Sequence, residues 1–480
     1  MVRRGIQGGY TRIQRYRIPD DALIRILEFF DPRSLFLASK VFKRVYALAM
    51  TYHTLRYTIE LALAGMRDGP TSLRLAPILG RLHLLSSYRV DWPLLNWTHE
   101  YKIQAPATSI VGASGGFMHQ IRPHGVYNTI EITELPSCRT GRNPALMRRQ
   151  RFTSPPVESV CVDPVQGLII GVHIFGQNGI IGVQMHIRDL WKFGKHPKAA
   201  AESYELPTQS TAPVSSAELA IQGNKMALTL EFANGKKSHL IMDWRSLGAR
   251  WIDDQDILML DEDLLLVVSK RPAVMTLFSI THLAHMGAIR QYELPPQWVA
   301  SNHVISLHAN AASRSPIPGS LFFPDPANRI IVIEGTSKSR SSTSWLFIQE
   351  SYFRRRRDPP VVSWGVWGQH CAIKEFKNKH KVGAPYPVGG RVVYLVGAAT
   401  LNVIEFASFP ENPPRLDASW SALGSGLFPN ETARRLPLGT VEQYAVDDLG
   451  VTEDNVVLFL EPQADFRPLN VLTFGAPKIN

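Results

Sequence analysis

The sequence is short of cysteine, of long apolar runs and of acidic charge relative to basic charge, and each shortage removes a class of protein. Its three cysteines, Cys138, Cys161 and Cys371, lie far apart, with no pair at metal-ligand spacing. That argues against a disulfide framework and against a structural zinc site. The longest apolar stretches, such as residues 264–268, fall far short of the roughly 18 residues needed to span a bilayer. Residues 1–17 have no apolar h-region, so no secretion signal is read. The same stretch is Arg-rich and acid-free up to Asp20, a composition that also suits a mitochondrial presequence. The N-x-[ST] matches at Asn96 and Asn430 carry no meaning without secretion. The expected compartment is cytoplasm or nucleus, with no membrane partner.

What is present is ordinary globular composition, 45% apolar and 19% charged, which excludes disordered, collagen-like and coiled-coil chains. At about 150 residues per domain the length suggests about three units, or a small unit before a large one. Lys and Arg outnumber Asp and Glu by 52 to 41, giving +11. This excess permits an acidic partner without requiring nucleic acid. Gly and Pro, 34 each, suit many short strands and turns.

The chain changes character near residue 100. Before it, apolar residues follow helical spacing. Leu23, Ile24, Ile26, Leu27 and Phe30 recur at intervals of one, three and four behind Pro19, Asp20 and Asp21, a first turn matched to the helix dipole. Asp31-Pro32 reads as a stop and a new N-cap. A short segment holds Leu35, Phe36 and Leu37. One longer helix is then expected through Val41, Val45, Leu48, Tyr52, Leu55, Ile59 and Leu63, stopping at Gly65. A further helix is expected over 77–88. The first helix is apolar around most of its circumference, so either the body of the chain or another protein must cover it.

From residue 101 the signal is strands between Gly, Pro, Asn and Asp clusters. The clearest unit, 219–251, reads strand–turn–strand–turn–strand through Gly223-Asn224 and Asn234-Gly235 and closes near Asp243-Trp244. It resembles a blade of a WD-repeat-like propeller. Comparable third strands are placed at 129–135, 186–190, 240–244, 276–280, 345–349, 402–406 and 469–474. That predicts an irregular β-propeller of about seven blades, with six, eight or a pair of β-sandwiches as alternatives. Polar stretches at 313–318, 337–344 and 411–430 are expected as loops.

Candidate chemistry is sparse. Gly112-Ala113-Ser114-Gly115-Gly116 matches G-x-S-x-G, but a nucleophile elbow needs a helix after the serine, and a Gly-rich turn between strands fits better. His282 with His285, and His119 with His124, lack the further ligands of a zinc site. His370 and Cys371, read as neighbours on a strand, would point to opposite faces. Asp253, Asp254, Asp256, Asp261, Glu262 and Asp263 lack the order of a calcium loop and read as turns. No phosphate-binding Gly loop appears, so no cofactor is expected. The basic runs are Arg354, Arg355, Arg356 and Arg357; Arg148, Arg149 and Arg151; and Lys377, Lys379 and Lys381. They read as a solvated face, a nuclear-localisation signal or an anion site for an acidic or phosphorylated partner. Aromatics are not interleaved with them, so nucleic acid is not expected.

Ile18-Pro19-Asp20-Asp21, Leu23-Ile24, Ile26-Leu27, Asp31-Pro32 with Leu35, and 41–48 together resemble the F-box motif. Phe42 stands where that motif usually has Cys, adding volume at a position read as packed. Tyr57-Thr58-Ile59-Glu60-Leu61, 64–69, Arg81-Leu82 and 92–97 resemble the continuation found in F-box proteins abundant in mushroom-forming fungi. The resemblance divides the chain into a basic tail (1–16), an F-box (17–62), a helical linker (63–100) and the propeller (101–480), a multidomain α plus all-β protein. It implies a non-catalytic substrate receptor of an SCF-type ubiquitin ligase. The F-box would dock on the Skp adaptor, and through it on a cullin-RING ligase, while the propeller captures an unidentified protein target. The residues it implies for the adaptor are Pro19, Leu23, Ile24, Ile26, Leu27, Leu35, Val41, Phe42, Val45 and Tyr46, some of which must face the head's own core. For the target, charge density points to Arg354 to Arg357 as the residues that would recognise an acidic or phosphorylated segment. The alternative is a propeller scaffold whose F-box-like head packs within its own chain and recruits no ligase.

Overall fold

The computed structural model describes residues 18–71, 76–142, 148–177, 180–208, 210–253, 256–270, 273–310, 315–337, 342–355, 358–377, 382–407, 419–422, 427–436 and 445–475. Four short helices come first: α1 (Asp20–Glu28), α2 (Pro32–Val41), α3 (Lys43–Thr51) and α4 (His53–Leu63). Asp31 caps α2 as the sequence suggests, accepting from the Arg33 and Ser34 backbone N–H groups at 3.1 and 3.0 Å. The single long helix expected from Val41 to Leu63 does not form. Phe42 (φ −110°, ψ 110°) and Tyr52 (φ −96°, ψ 114°) are extended and break it into three pieces. Each break turns the chain so that α2, α3 and α4 pack on one another. Together they close a core of Ile24, Leu27, Leu35, Phe36, Val45, Leu48, Ala49, Leu55 and Ile59, which one straight helix could not surround.

Helix α4 works on two sides. Leu55 and Ile59, four apart, belong to the head, while Tyr57 and Leu61, also four apart, belong to a second core shared with the strands. Gly65 follows in the left-handed region (φ +64°), the helix stop expected there. The segment beyond it is built into the body. Met66–Asp68 pairs antiparallel with Phe322–Pro324. Helix α5 (Ile78–Asp91) then buries Leu82, Leu85 and Tyr88 on the same core. Arg81, buried in α5, donates to the Asp68 carboxylate at 2.6 Å and to the Ala76 and Leu321 carbonyls at 3.0 and 3.3 Å.

The remainder forms seven sheets of four or five strands, antiparallel but for one added strand. Their inner strands are Ile110–Ser114, Ser159–Asp163, Val214–Gln222, Asp256–Met259, Val304–His308, Tyr386–Val388 and Val446–Val451. The ring closes where His99–Pro106, from the N-terminal side, becomes the outer strand beside Phe466–Thr473. All seven expected third strands fall on observed third strands, and this is a seven-bladed β-propeller. Blade 3 shows the local chemistry. Gly223 and Gly235 take positive φ in its turns, and Asp243 accepts from Arg245 and Ser246 backbone N–H at 3.0 and 3.1 Å. Trp244 is buried, its indole donating to the Gly223 carbonyl at 3.0 Å.

Two of the stretches expected as loops contain strands. Ser342–Gln349 begins inside 337–344, and Trp420–Ala422 and Phe428–Arg435 lie within or overlap 411–430. Ser342–Gln349 is the third strand of blade 5 and Phe428–Arg435 the fourth of blade 6, while Trp420–Ala422 reaches back to add a fifth strand to blade 5. Outside those stretches, Val361–Val362 adds a strand in parallel to blade 4.

Blade 1 buries His119, whose Nδ1 has no partner, and burial pulls its imidazole down to about 4. The unfolded chain takes up a proton near pH 6.5 and the folded chain does not until about 4, so this site's stability is full above pH 6.5 and is lost as pH falls towards 4. The loss is on the order of 3 kcal/mol. Melting temperatures measured between pH 7 and about 4 should fall less steeply in His119→Leu than in the parent; parallel curves would refute this.

Candidate protein-docking surfaces

The head has a second apolar set, left over once its own core is full. On α1, Pro19, Ala22, Ile26 and Phe29 follow a three-four-three spacing, and all are exposed. Phe29 is 90% exposed, at the end of the helix. On α2, Leu37 and Val41 repeat the pattern, and on α3 Tyr46 and Met50 do. Arg44 draws the pieces together by donating to the Ile18 carbonyl and the Asp20 carboxylate, so the start of α1 lies beside the start of α3. Three short helices are thus apolar on an inner and an outer face. The outer face is far more than scattered surface hydrophobics would give.

The residues named from the sequence are divided between these faces. Pro19, Ile26, Val41, Phe42 and Tyr46 are exposed, and Leu23 is half-buried. Ile24, Leu27, Leu35 and Val45 are buried in the head's own core. Phe42 corrects a further expectation. It is 59% exposed rather than packed, so its bulk costs the head nothing. Sequence reading missed Ile18, Phe29, Leu37 and Met50, all exposed. Their signal was the surplus of apolar residues around α1, noted but not assigned to positions.

The propeller does not cover this outer face. It meets the head through α4 and its continuation, on the side where first-to-second turns and third-to-fourth loops emerge. There Trp92 and Tyr88 donate to the Glu453 carbonyl at 3.1 and 2.5 Å. Arg139 grips Asp454 through two bonds of 2.9 Å. The opposite mouth of the channel lies away from the head. A cavity of about 560 Å³ runs in from it, lined by the inner strands and by Glu218, Lys237, Asp256, His308, Tyr386 and Asp448. Tyr386 donates to Asp448, and burial followed by that carboxylate raises its hydroxyl well above the usual value.

Of the arginine run, Arg354 and Arg355 lie in the third-to-fourth insertion of blade 5, on the head side, not at the open mouth. Arg354 is held by Glu350 and Asp261, and Arg329 reaches the same Glu350 at 2.7 Å. Arg354 is therefore committed to the fold. Arg355 lies 4.5 Å over the Tyr352 ring, and its carbonyl accepts from Arg290 at 2.8 Å. Arg356 and Arg357 fall outside the described residues, as do Lys379 and Lys381; Lys377 ends a strand. Arg151 bonds Glu131 at 2.8 Å, while Arg148 and Arg149 are exposed.

The other candidates resolve simply. Gly115 and Gly116 take positive φ in a hairpin between two strands, so Ser114 is no elbow; its hydroxyl accepts from the Val162 N–H at 3.1 Å. His370 and Cys371 are not on a strand: His370 closes a 3-10 turn and Cys371 is buried, its thiol donating to Trp367. Burial raises that thiol above its ordinary value. Asp256 accepts from Leu307 N–H at 2.7 Å, and Asp261 closes a turn through Asp263 and Leu264; Asp254 is outside the described residues. His282 and His285 share one 3-10 turn. Among the described residues no group of three His, Cys, Asp or Glu could hold a metal, and no helix is long and apolar enough to cross a membrane.

Solved structures resemble the chain distantly. The WD40 domain of SCAP from fission yeast is 7% identical over 78% of this chain and 98% of its own, with a TM-score of 0.40. The β-propeller domain of the Trilobed protease from Pyrococcus furiosus is 10% identical over 79% and 97%, with a TM-score of 0.39. No curated protein matches. The fold assignment therefore rests on the seven closed sheets themselves. Residues 16–55 match the F-box domain family, so the chain carries an F-box domain in front of a seven-bladed β-propeller.

Proposed function

We propose that this chain is a substrate-recognition subunit of an SCF-type cullin-RING ubiquitin ligase. The F-box docks on the Skp adaptor, and the propeller holds a target protein. The observation that carries the reading is the outer apolar face of a head whose own core is already complete. F-box domains in general bind the Skp adaptor, and an F-box before a propeller fits a substrate receptor in general. The chain would do no covalent chemistry. Held on the ligase, it raises the effective concentration of target lysines at the conjugating enzyme. The segment 57–97, which resembles the F-box proteins of mushroom-forming fungi, welds the head to the propeller so that the channel mouth faces away from the adaptor. We assign target capture to that mouth and its loops, in place of the arginine run.

Co-expression with a Skp adaptor followed by size-exclusion chromatography tests the reading. The wild-type chain should elute as a one-to-one complex, and Ile26→Asp with Tyr46→Asp should elute alone, still folded, since both positions are exposed. A folded wild-type chain that ignores the adaptor would favour the free-standing scaffold instead.

A further inference from the structure

The outer face is not chemically uniform. One corner of it is where α2 ends and α3 begins. Phe42 caps both helices, the C-terminus of α2 and the N-terminus of α3, with an extended backbone. Its ring therefore stands off the bundle, and Val41 beside it is 71% exposed. Ile18 and Pro19 are drawn to the start of α3 by the Arg44 clamp, and Tyr46 follows Phe42 by one helical turn. The chain on either side of the pair is basic. Lys40 and Lys43 are both exposed, and the Lys40 ammonium lies 5.2 Å from the Phe36 ring, on the near side of the corner. The Arg44 charge is already met by Asp20. The result is an exposed aromatic side chain with an exposed lysine close by on each side of it in the chain.

We propose that this corner anchors the docking surface, and that the partner offers it an apolar pocket deep enough for a phenyl ring, with carboxylates on the lip. The inference rests on the adaptor reading and specifies the chemistry of that contact. A projecting aromatic side chain that loses most of its exposed area on docking is the kind of residue that dominates an interface. Lysines at its edge reach only rim carboxylates, which remain partly solvated. They act mainly on encounter rate and on the choice between partners.

The test uses the full chain and a purified Skp adaptor, with association and dissociation rates measured at low and high salt. Phe42→Ala should melt with the parent, since the side chain is exposed, and should dissociate at least about 30-fold faster. Lys40→Glu with Lys43→Glu should associate about tenfold more slowly at low salt, a difference that collapses at high salt. Wild-type binding with unchanged rates for Phe42→Ala overturns the anchor while leaving the receptor reading intact. A charge-reversed variant whose deficit ignores salt overturns the acidic lip. Failure of the wild-type chain to bind any adaptor overturns the receptor reading, and this inference with it.

Discussion

Trp92→Ala is expected to destabilise the propeller by about 3–5 kcal/mol, although Trp92 lies before the first propeller strand. Its ring is fully buried and stacks on Phe474 at 3.9 Å and 15°, the residue that follows the final strand. Its indole N–H satisfies the Glu453 carbonyl at 3.1 Å, and the Arg391 guanidinium lies 4.7 Å from its ring. Truncation would leave a cavity directly beneath the blade that closes the ring, where His99–Pro106 joins Phe466–Thr473. It would also take one of two donors from the Glu453 carbonyl, leaving the Tyr88 hydroxyl. The midpoint of urea unfolding reads the effect. Trp191→Ala, at a tryptophan 41% exposed in blade 2, should stay within about 0.5 kcal/mol of the parent and serves as the control. Equal midpoints for Trp92→Ala and the parent would mean that the segment after the F-box is an appendage and not part of the propeller.

The same residues show which parts of the structure can be read from sequence. Third strands were legible because each is a short apolar run that ends at its own turn. Leu240, Ile241 and Met242 before Asp243 and Trp244 carry strand and stop within five positions. The breaks at Phe42 and Tyr52 were not legible, because three-and-four spacing continues straight through them and only the shared core makes bending favourable. Arg354 misled for a similar reason. One partner, Glu350, is only four residues back, but the other, Asp261, lies 93 residues away on a neighbouring blade, where the sequence gives no sign that it meets Arg354. The outer apolar face of the head was half legible. An excess of apolar residues on α1 announced a second surface, but which side the core would take depended on Leu55 and Ile59 in α4. Hence Ile24 and Leu27 were grouped with Ile26, and Phe29 was passed over.

Leu27→Asp and Phe29→Asp should separate those two surfaces, two residues apart on one helix. Leu27 is 2% exposed within the head's apolar core. Burying the charge there costs several kcal/mol, and a head of three short helices plus one face of α4 has little reserve against it. The head should therefore open while the propeller stays folded. Tyr57 and Leu61 keep the other face of α4 docked on the strands. Hydrogen exchange would show α1 to α3 losing protection in Leu27→Asp, with the blades unchanged. Phe29→Asp places its charge in water and should keep wild-type protection throughout, yet weaken adaptor binding when that surface is closed over. Both variants would fail in a binding assay, so binding alone cannot tell a missing contact from a missing head. If Phe29→Asp exchanges like Leu27→Asp, the outer face is holding the head together and is not free for a partner. If both keep full protection, Leu27 is not in the core as described.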